Sequence, residues 1–292
     1  MKKKINTDRD IDMVNGTLKV VVVVLLFLSF AMTTMAQTTY EQCVEQGLAA
    51  AQDNRLDEAE EMFRKALKMN PDDYRNALLY GNLAHVLEAK DEPMKALTCY
   101  DYALNIAPLN VPLLKARASL YMQLGNYSKA AIDYGNIIDV DPKNTDALLN
   151  RAFIFQQRRD YQKAKEDYES LLSIAPDNYT ALLGVAILFQ NAQKPQEALS
   201  RLSLLIDKYP DRAELYSIRA EIEAEANQTE LAIIDLNKAI ELEPENKNMI
   251  LTRAYIHLEA GHKHLALQDF ERAISLGIPR GQLKEELKKV KR

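Results

Sequence analysis

The chain of 292 residues contains no tryptophan, nine glycines and two cysteines, and these shortages exclude several classes of protein. A many-stranded β protein needs frequent tight turns, and nine glycines leave little to build them. Two cysteines, Cys43 and Cys99, cannot form a disulfide framework and lack the spacing of a metal-ligand pair. Both lie in predicted helices, so we expect packed, unpaired thiols; the alternative is one incidental bridge.

The chain also lacks an excess of positive charge. Its formal net charge is −5, and the first 36 residues carry five Lys or Arg against three Asp, which leaves about −7 on the remainder. A phosphate backbone repels such a surface, and no basic stripe alternates with aromatic residues, so we expect no nucleic-acid partner. With 47% hydrophobic residues the chain is nevertheless apolar enough to fold.

Residues that carry catalysis are few and isolated. Of the four histidines, His262 and His264 lie in one predicted turn without a cluster of carboxylates or cysteines. That spacing makes a poor metal site, so we expect a solvated turn; a metal-dependent enzyme is the alternative that depends on it. No glycine-rich phosphate loop or nucleophile motif occurs. The sequence therefore predicts a protein that is not an enzyme and uses no cofactor.

An apolar segment near the N-terminus indicates an export signal. Lys19 precedes thirteen mostly apolar residues, 20–32, which is short for a membrane span of roughly twenty. Thr34-Met35-Ala36 suits cleavage before Gln37, so residues 1–36 are predicted to be a signal peptide, with Met13 as an alternative start. The protein is then periplasmic or secreted. The alternative is an uncleaved anchor over residues 20–36, which would be the chain's contact with a membrane.

Prolines recur at a fixed interval along the rest of the chain. Successive members of the series are separated by 37 residues and then four times by 34: Pro71, Pro108, Pro142, Pro176, Pro210 and Pro244. Such a period indicates stacked repeats rather than one closed core. Seven units of 34 residues fit the sequence, with three extra residues after the first: 40–73, 77–110, 111–144, 145–178, 179–212, 213–246 and 247–280.

Small and large apolar residues occupy fixed columns of this repeat. One small column holds Ala59, Ala96, Ala130, Ala164, Ala198, Ala232 and Ala266, and another Gly47, Ala84, Ala118, Ala152, Ala186, Ala220 and Ala254. A large column holds Phe63, Tyr100, Tyr134, Tyr168, Leu202, Leu236 and Phe270. Each unit contains two stretches in which apolar residues recur at intervals of three and four, and this periodicity predicts two helices. A turn joins them, as Gly125-Asn126 does in the third unit. One such unit cannot bury both faces, so the units must stack.

Polar residues also repeat. An asparagine two residues past a proline can cap the next helix, as at Asn110, Asn144, Asn178 and Asn246. Four units pair an arginine with an aspartate sixteen residues later: Arg117 and Asp133, Arg151 and Asp167, Arg219 and Asp235, Arg253 and Asp269. We interpret these as ion pairs that set helix register, each contributing about 0–1 kcal/mol if exposed, and not as a recognition strip. The fifth unit breaks the series with Val185 and Arg201.

The two small columns, the large column and the terminal proline resemble the tetratricopeptide repeat family. The resemblance implies an all-α, right-handed superhelical solenoid of about seven helix-turn-helix units over residues 37–280. The family's frequent tryptophan is replaced by Tyr, Leu, Ile or Cys, and Ile278 occupies the last proline position. Residues 281–292 read as a capping helix whose Leu283, Leu287 and Val290 cover the last unit; contact of its basic end with an acidic membrane is the alternative.

The same resemblance implies a concave groove, lined by the first helix of each unit, that binds a protein or peptide. Its candidate lining residues are Lys115, Ser119, Met122, Asn150, Phe153, Gln156, Ile187, Gln190, Glu221 and Tyr255. The lysine–asparagine clamp that some members use for a C-terminal carboxylate is missing, because Ser119 stands one turn after Lys115. The leading hypothesis is an exported, non-catalytic interaction scaffold. The alternative is an accessory component of a cell-envelope machine that binds polysaccharide or peptidoglycan.

Overall fold

A computed structural model of the protein describes residues 39–291, and this part consists of α-helices, one short 3-10 helix and the turns between them. The prediction of an all-α protein built from helix-turn-helix pairs is therefore confirmed. The predicted signal peptide or anchor over residues 1–36 lies outside the described residues. Within residues 39–291, no helix combines the length and apolar character that crossing a bilayer requires.

The chain divides into two compact units at Pro108. In its described part the first unit contains α1 (Tyr40–Gln52), α2 (Leu56–Met69), α3 (Asn76–Ala89) and α4 (Pro93–Ile106). The second begins with α5 (Val111–Gln123), α6 (Tyr127–Val140), α7 (Thr145–Gln157), α8 (Tyr161–Ile174), α9 (Tyr179–Asn191) and α10 (Pro195–Lys208). It continues with α11 (Ala213–Glu225), α12 (Thr229–Leu242), α13 (Lys247–Glu259), α14 (Lys263–Ser275), the 3-10 helix Arg280–Leu283 and α15 (Lys284–Lys291).

The small and large columns form the cores of both units. All the alanines of the two small columns are fully buried, and so are all members of the large column within a few percent. The reason for the small column is visible at Gly47, where an added Cβ would meet the Phe63 ring at 2.5 Å. Paired helices approach so closely that a larger side chain at this column would overlap with the neighbouring ring. Cys43 and Cys99 are buried free thiols, as predicted.

Each turn between paired helices contains one residue in the left-handed region of backbone space. Glycine supplies it at Gly125 and Gly261, with φ of 71° and 79°. In the other five turns a non-glycine residue adopts φ between 58° and 60°: Asn54, Asp91, Arg159, Gln193 and Asn227. These seven residues form one column of the repeat. A side chain there costs about 1–2 kcal/mol relative to glycine, so the helix packing imposes this conformation.

The predicted asparagine caps are present at four first helices of the second unit. The Oδ1 atoms of Asn110, Asn144 and Asn178 each accept a hydrogen bond from the backbone N–H three residues later, at 2.9–3.1 Å. Asn246 caps α13 in the same way. Each cap satisfies one of the backbone donors that a helix start leaves without a partner.

The three extra residues of the first unit form a turn that a buried asparagine holds. Asn76 is fully buried at the start of α3, and its Nδ2 donates to the backbone oxygens of Asn70 and Pro71 at 2.6 and 3.2 Å. Its Oδ1 accepts a bond from the Tyr40 hydroxyl at 3.1 Å. This amide therefore joins α1, the end of α2 and the start of α3.

The arginine–aspartate pairs form as predicted, but they are not exposed. In all four, Nε and Nη2 of the arginine donate to the two carboxylate oxygens at 2.6–2.9 Å. The four aspartates are buried: Asp133, Asp167, Asp235 and Asp269. The estimate for exposed pairs therefore does not apply at these positions, because removing one partner leaves a desolvated charge in the core.

Two of these arginines also connect successive repeats. Arg219 Nη1 donates to Ser203 Oγ at 3.1 Å, and Arg253 Nη1 donates to Asn237 Oδ1 at 2.6 Å. Each guanidinium therefore binds its own hairpin and the second helix of the preceding repeat. This double contact supports the interpretation that the pairs set helix register.

The predicted capping helix covers the end of the second unit. Leu283, Leu287 and Val290 are buried and pack in one cluster with Ala254, Ala266 and Phe270. The helix thus shields the last hairpin from water, which an array of stacked repeats requires at its end.

Candidate partner-binding face

The ten candidate residues lie on the first helices of the second unit, and none of them is buried. Lys115, Ser119, Phe153, Glu221 and Tyr255 are exposed, whereas the other five are half-buried: Met122, Asn150, Gln156, Ile187 and Gln190. Each of these residues lies within four positions of the buried alanine of the small column on its own helix, so the candidates line the edge of the packed stripe. We call this surface the first-helix face.

One column of the first-helix face carries its exposed apolar side chains. Ser119, Phe153, Ile187, Glu221 and Tyr255 occupy the same repeat position on α5, α7, α9, α11 and α13. The Phe153 and Tyr255 side chains are 40% and 37% exposed. The Tyr255 ring packs edge-on against the buried Phe270 ring, with the ring centroids 5.4 Å apart, and this contact orients it. This column therefore presents apolar groups to solvent from helices that the core fixes in place.

The polar candidates around this column are held by neighbouring groups. Lys115 forms an ion pair with Asp146 on the next first helix, and Asn150 Nδ2 donates to the Asp146 backbone oxygen at 2.8 Å. Gln156 Oε1 accepts a long bond of 3.3 Å from the Tyr168 hydroxyl. The carboxamide of Gln156 keeps its NH₂ group for another acceptor. These contacts orient the side chains without consuming all their hydrogen-bonding capacity.

The sequence did not identify one further lining residue, Glu225. A cleft of about 300 Å³ between α9 and α11 brings Gln190 and Glu225 together, with Ile222 on its wall. Glu225 lies one helical turn after Glu221, and partial desolvation by the neighbouring helices, followed by the charge of Glu225, raises the pKa of Glu221 above its ordinary value. The pattern that could have identified Glu225 is its i+4 position relative to Glu221 on the same helix face.

Glu223 lies on the other side of α11 and is buried with one carboxylate oxygen lacking a hydrogen-bond partner among the described residues. Burial, followed by the nearby Asp235 charge, raises its pKa from 4.5 to about 7, although Arg219 Nε lies 4.0 Å away. Because the folded pKa exceeds the unfolded one, the contribution of Glu223 to stability is greatest below pH 4.5 and decreases as the pH rises to about 7.

The turn that contains His262 and His264 is exposed to solvent. His262 and His264 are exposed at the start of α14, and His262 Nδ1 lies 3.4 Å from Nδ1 of the buried His257. Burial lowers the pKa of His257 below its ordinary value. Over residues 39–291, no group of three or more His, Cys, Asp or Glu side chains is arranged to hold a metal ion.

Comparisons with protein families and curated proteins support the repeat assignment. Profiles described as tetratricopeptide repeat match residues 44–109, 115–179, 155–222 and 213–246. A similar curated protein is the BBSome complex member BBS4 of Bos taurus, which is 32% identical over 100 residues, or 34% of this chain. The aligned stretch spans 18% of the length of that relative.

Solved structures resemble the chain over most of its length. A tetratricopeptide repeat protein from Parabacteroides merdae is 28% identical, with a TM-score of 0.63 over 87% of this chain and 99% of that one. YrrB, described as a TPR protein with an unusual peptide-binding site, is 21% identical over 70% of this chain and all of its own, with a TM-score of 0.53. PilW, described as a type IV pilus biogenesis factor, is 17% identical over 66% and 90%, with a TM-score of 0.56. The last two likenesses concern the fold alone.

Proposed function

Because the chain belongs to the tetratricopeptide repeat family, we propose that it is an exported, non-catalytic scaffold that binds a partner protein or peptide on its first-helix face. The observation that carries this proposal is the column of Phe153, Ile187 and Tyr255. The exposed Phe153 and Tyr255 rings and the half-buried Ile187 stand on a rigid helical frame, which provides anchor contacts at low entropic cost.

The polar groups around the column suit a peptide ligand. Gln156 and Gln190 offer amide donors and acceptors of the kind that pair with a peptide backbone, and Glu221 and Glu225 add negative charge at α11. A segment with apolar side chains and a basic residue would complement this surface. The peptide-binding site named for YrrB is consistent with such a role for this fold.

The proposal that the protein is exported depends on the sequence of residues 1–36. If it is exported, its partner is periplasmic or secreted as well. A basic residue, a thirteen-residue apolar segment and a small-x-small site before Gln37 follow one another in the order of a signal peptide. N-terminal sequencing of the protein recovered from an envelope fraction tests this part directly. A chain that begins at Gln37 supports export, whereas a cytosolic chain that retains residues 1–36 contradicts it.

Capture of a partner by matched variants tests the binding function. The full chain, Phe153→Asp and Ile132→Asp are used as bait in an envelope extract; Ile132 is an exposed apolar residue on α6, away from the first-helix face. Loss of an aromatic anchor typically costs at least about 2 kcal/mol, or roughly thirtyfold in affinity. We expect Phe153→Asp to lose a partner that Ile132→Asp retains. Equal retention by both variants would place the binding site elsewhere.

The polysaccharide alternative has weaker support from the structure. Its aromatic platforms would have to be exposed, but Tyr100, Tyr134 and Tyr168 are buried in the large column. Phe153 and Tyr255 lie on α7 and α13, three repeats apart, so they do not form one stacking surface. Binding on a glycan array that Phe153→Ala and Tyr255→Ala both abolish, with folding intact, would reverse this preference.

A further inference from the structure

A cavity of about 560 Å³ lies between α2 and α4, the second helices of the first two repeats. On α2 it is lined by Arg64, Leu67 and Lys68, and on α4 by residues at intervals of three, four and seven from Lys95 to Tyr102. Residues at these intervals share one face of a helix, so the cavity runs about 10 Å along α4. We call it the basic trough.

The basic trough carries positive charge in a chain whose net charge is −5. Three of the residues that line it are cations, Arg64, Lys68 and Lys95, and none of the described residues that line it is Asp or Glu. Burial raises the pKa of the Cys99 thiol, so this lining group is neutral and adds no negative charge. The trough therefore favours an anionic ligand.

Two of the three cations keep hydrogen-bonding capacity for such a ligand. Lys68 is exposed and forms no ion pair with the described residues. Arg64 donates through Nε to Glu60 at 2.8 Å, but Glu60 also accepts from Lys90 at 2.7 Å, so two cations share this carboxylate. A ligand carboxylate beside Arg64 and Lys68 would complete their charge pairing. The third cation, Lys95, already lies 2.7 Å from a carboxylate oxygen of its own helix start.

Two tyrosines give the basic trough an aromatic surface. The rings of Tyr80 and Tyr102 lie with their centroids 5.3 Å apart, at an angle of 31°. Tyr102 is 52% exposed and Tyr80 is half-buried, and their hydroxyls form no hydrogen bond with the described residues. The rings therefore offer apolar contact together with two unused polar groups.

We propose that the basic trough binds an acidic segment of a partner protein. One large apolar side chain of that segment packs on the Tyr80 and Tyr102 rings, and carboxylates beside it pair with Arg64 and Lys68. A polypeptide fits better than a small anion, because most residues that line the trough are exposed and leave it open to solvent along one side. A length of about 10 Å corresponds to about three residues of an extended chain.

This inference goes beyond the proposed function. It concerns second helices of the first compact unit, whereas the proposed function depends on first helices of the second unit, where Glu221 and Glu225 favour a basic ligand. The chain then holds two segments of opposite charge, one on each unit. Either site can fail without the other, because their tests use different ligands and different variants.

Fluorescence anisotropy with a synthetic peptide and the full chain tests the proposal. The probe is a fluorescein-labelled nonapeptide with one phenylalanine between two pairs of glutamates, and a control peptide has glutamines in their place. We expect the glutamate peptide to bind at least about tenfold more tightly than the glutamine peptide, with an affinity that falls as salt is added. Equal binding of the two peptides, or no binding of the glutamate peptide, would overturn the proposal.

Matched variants locate the bound peptide. Lys68→Glu should weaken binding about fivefold, because a repulsion replaces an exposed attraction. Lys143→Glu makes the same charge change at an exposed lysine in the turn before α7, and its effect should stay below about twofold. Tyr102→Ala should weaken binding about tenfold by removing an aromatic contact, whereas Tyr127→Ala, at a tyrosine of α6 that is 36% exposed, should not.

Two further outcomes would contradict the proposal. Equal effects of Lys68→Glu and Lys143→Glu would show that the peptide responds to the overall charge of the chain and not to the trough. Displacement of the probe by ATP at a lower concentration than by the unlabelled glutamate peptide would identify a small phosphorylated anion as the ligand.

Discussion

Breaking one arginine–aspartate pair should destabilise its hairpin far more than an ordinary surface ion pair does. The Asp167 side chain is 6% exposed and the Arg151 side chain 24%, and two hydrogen bonds of 2.9 and 2.7 Å join them. Replacing Arg151 by Val leaves a buried carboxylate without its partner. Breaking buried pairs costs about 3–5 kcal/mol, and the partial exposure of Arg151 places this one near about 3 kcal/mol.

The fifth repeat supplies the matched control for this prediction. It carries Val185 and Arg201 at the equivalent positions and has no buried carboxylate there. The double variant Arg151→Val with Asp167→Arg copies that natural solution into the fourth repeat. We expect it to cost about 1 kcal/mol or less, because the new arginine can extend into water while valine fills the apolar space.

Urea unfolding followed by circular dichroism gives the overall change, and hydrogen exchange of α7 and α8 locates it. Both are needed because stacked repeats do not always unfold in one step. A cost below about 1 kcal/mol for Arg151→Val would show that the pair behaves as an exposed one. A double variant as unstable as the single variant would refute the argument that the unpaired carboxylate is the cause.

Three further predictions concern the core and the turns. Glu223→Gln should raise stability at pH 8 by roughly 1–3 kcal/mol and remove the decrease between pH 4.5 and about 7, whereas the exposed Glu259→Gln should not; a gain that is equal at pH 4 and pH 8 would contradict this. Gly125→Ala should cost about 1 kcal/mol in thermal unfolding, because φ there is 71°. Arg159→Gly should gain only a few tenths, because the greater entropy of glycine in the unfolded chain offsets most of the relieved backbone strain; the opposite signs would place the left-handed residue elsewhere. Tyr168→Ala should cost about 3–5 kcal/mol in urea unfolding by leaving a cavity, and an unchanged curve would show that the large column is misplaced.

The core could be predicted from sequence because close packing restricts residue size at fixed intervals. Gly184 illustrates a contact of this kind that the columns alone did not reveal, since an added Cβ would meet the Tyr168 ring and hydroxyl at 2.5–2.8 Å. The two residues lie on different helices of successive repeats. A regular spacing predicts which helix faces meet, but not which individual atoms come closest.

The burial of the aspartates could not be predicted from spacing. A separation of sixteen residues places Arg117 beside Asp133 in an antiparallel hairpin. Whether water reaches the carboxylate depends on the helices packed around it, and the sequence of one hairpin does not contain that information. The turns show the same limit, because Arg159 and Gln193 adopt left-handed backbone conformations that their residue types disfavour.

The exposed apolar side chains of the first compact unit could not be predicted for a related reason. Leu48 on α1 and Leu78 on α3 are exposed, and their exposure depends on what the neighbouring helices leave uncovered. The ten candidates on the first-helix face could be placed because the repeat position fixes the side of the helix. Their contact with a partner remains a prediction.

Hydroxyl-radical footprinting of the captured complex tests the central claim most directly. It compares Tyr255 on the first-helix face with Tyr127 on α6, whose side chains are 37% and 36% exposed. If the partner binds the first-helix face, oxidation of Tyr255 and Phe153 falls on complex formation while oxidation of Tyr127 does not change. Protection of Tyr127 with Tyr255 and Phe153 still reactive would contradict the account.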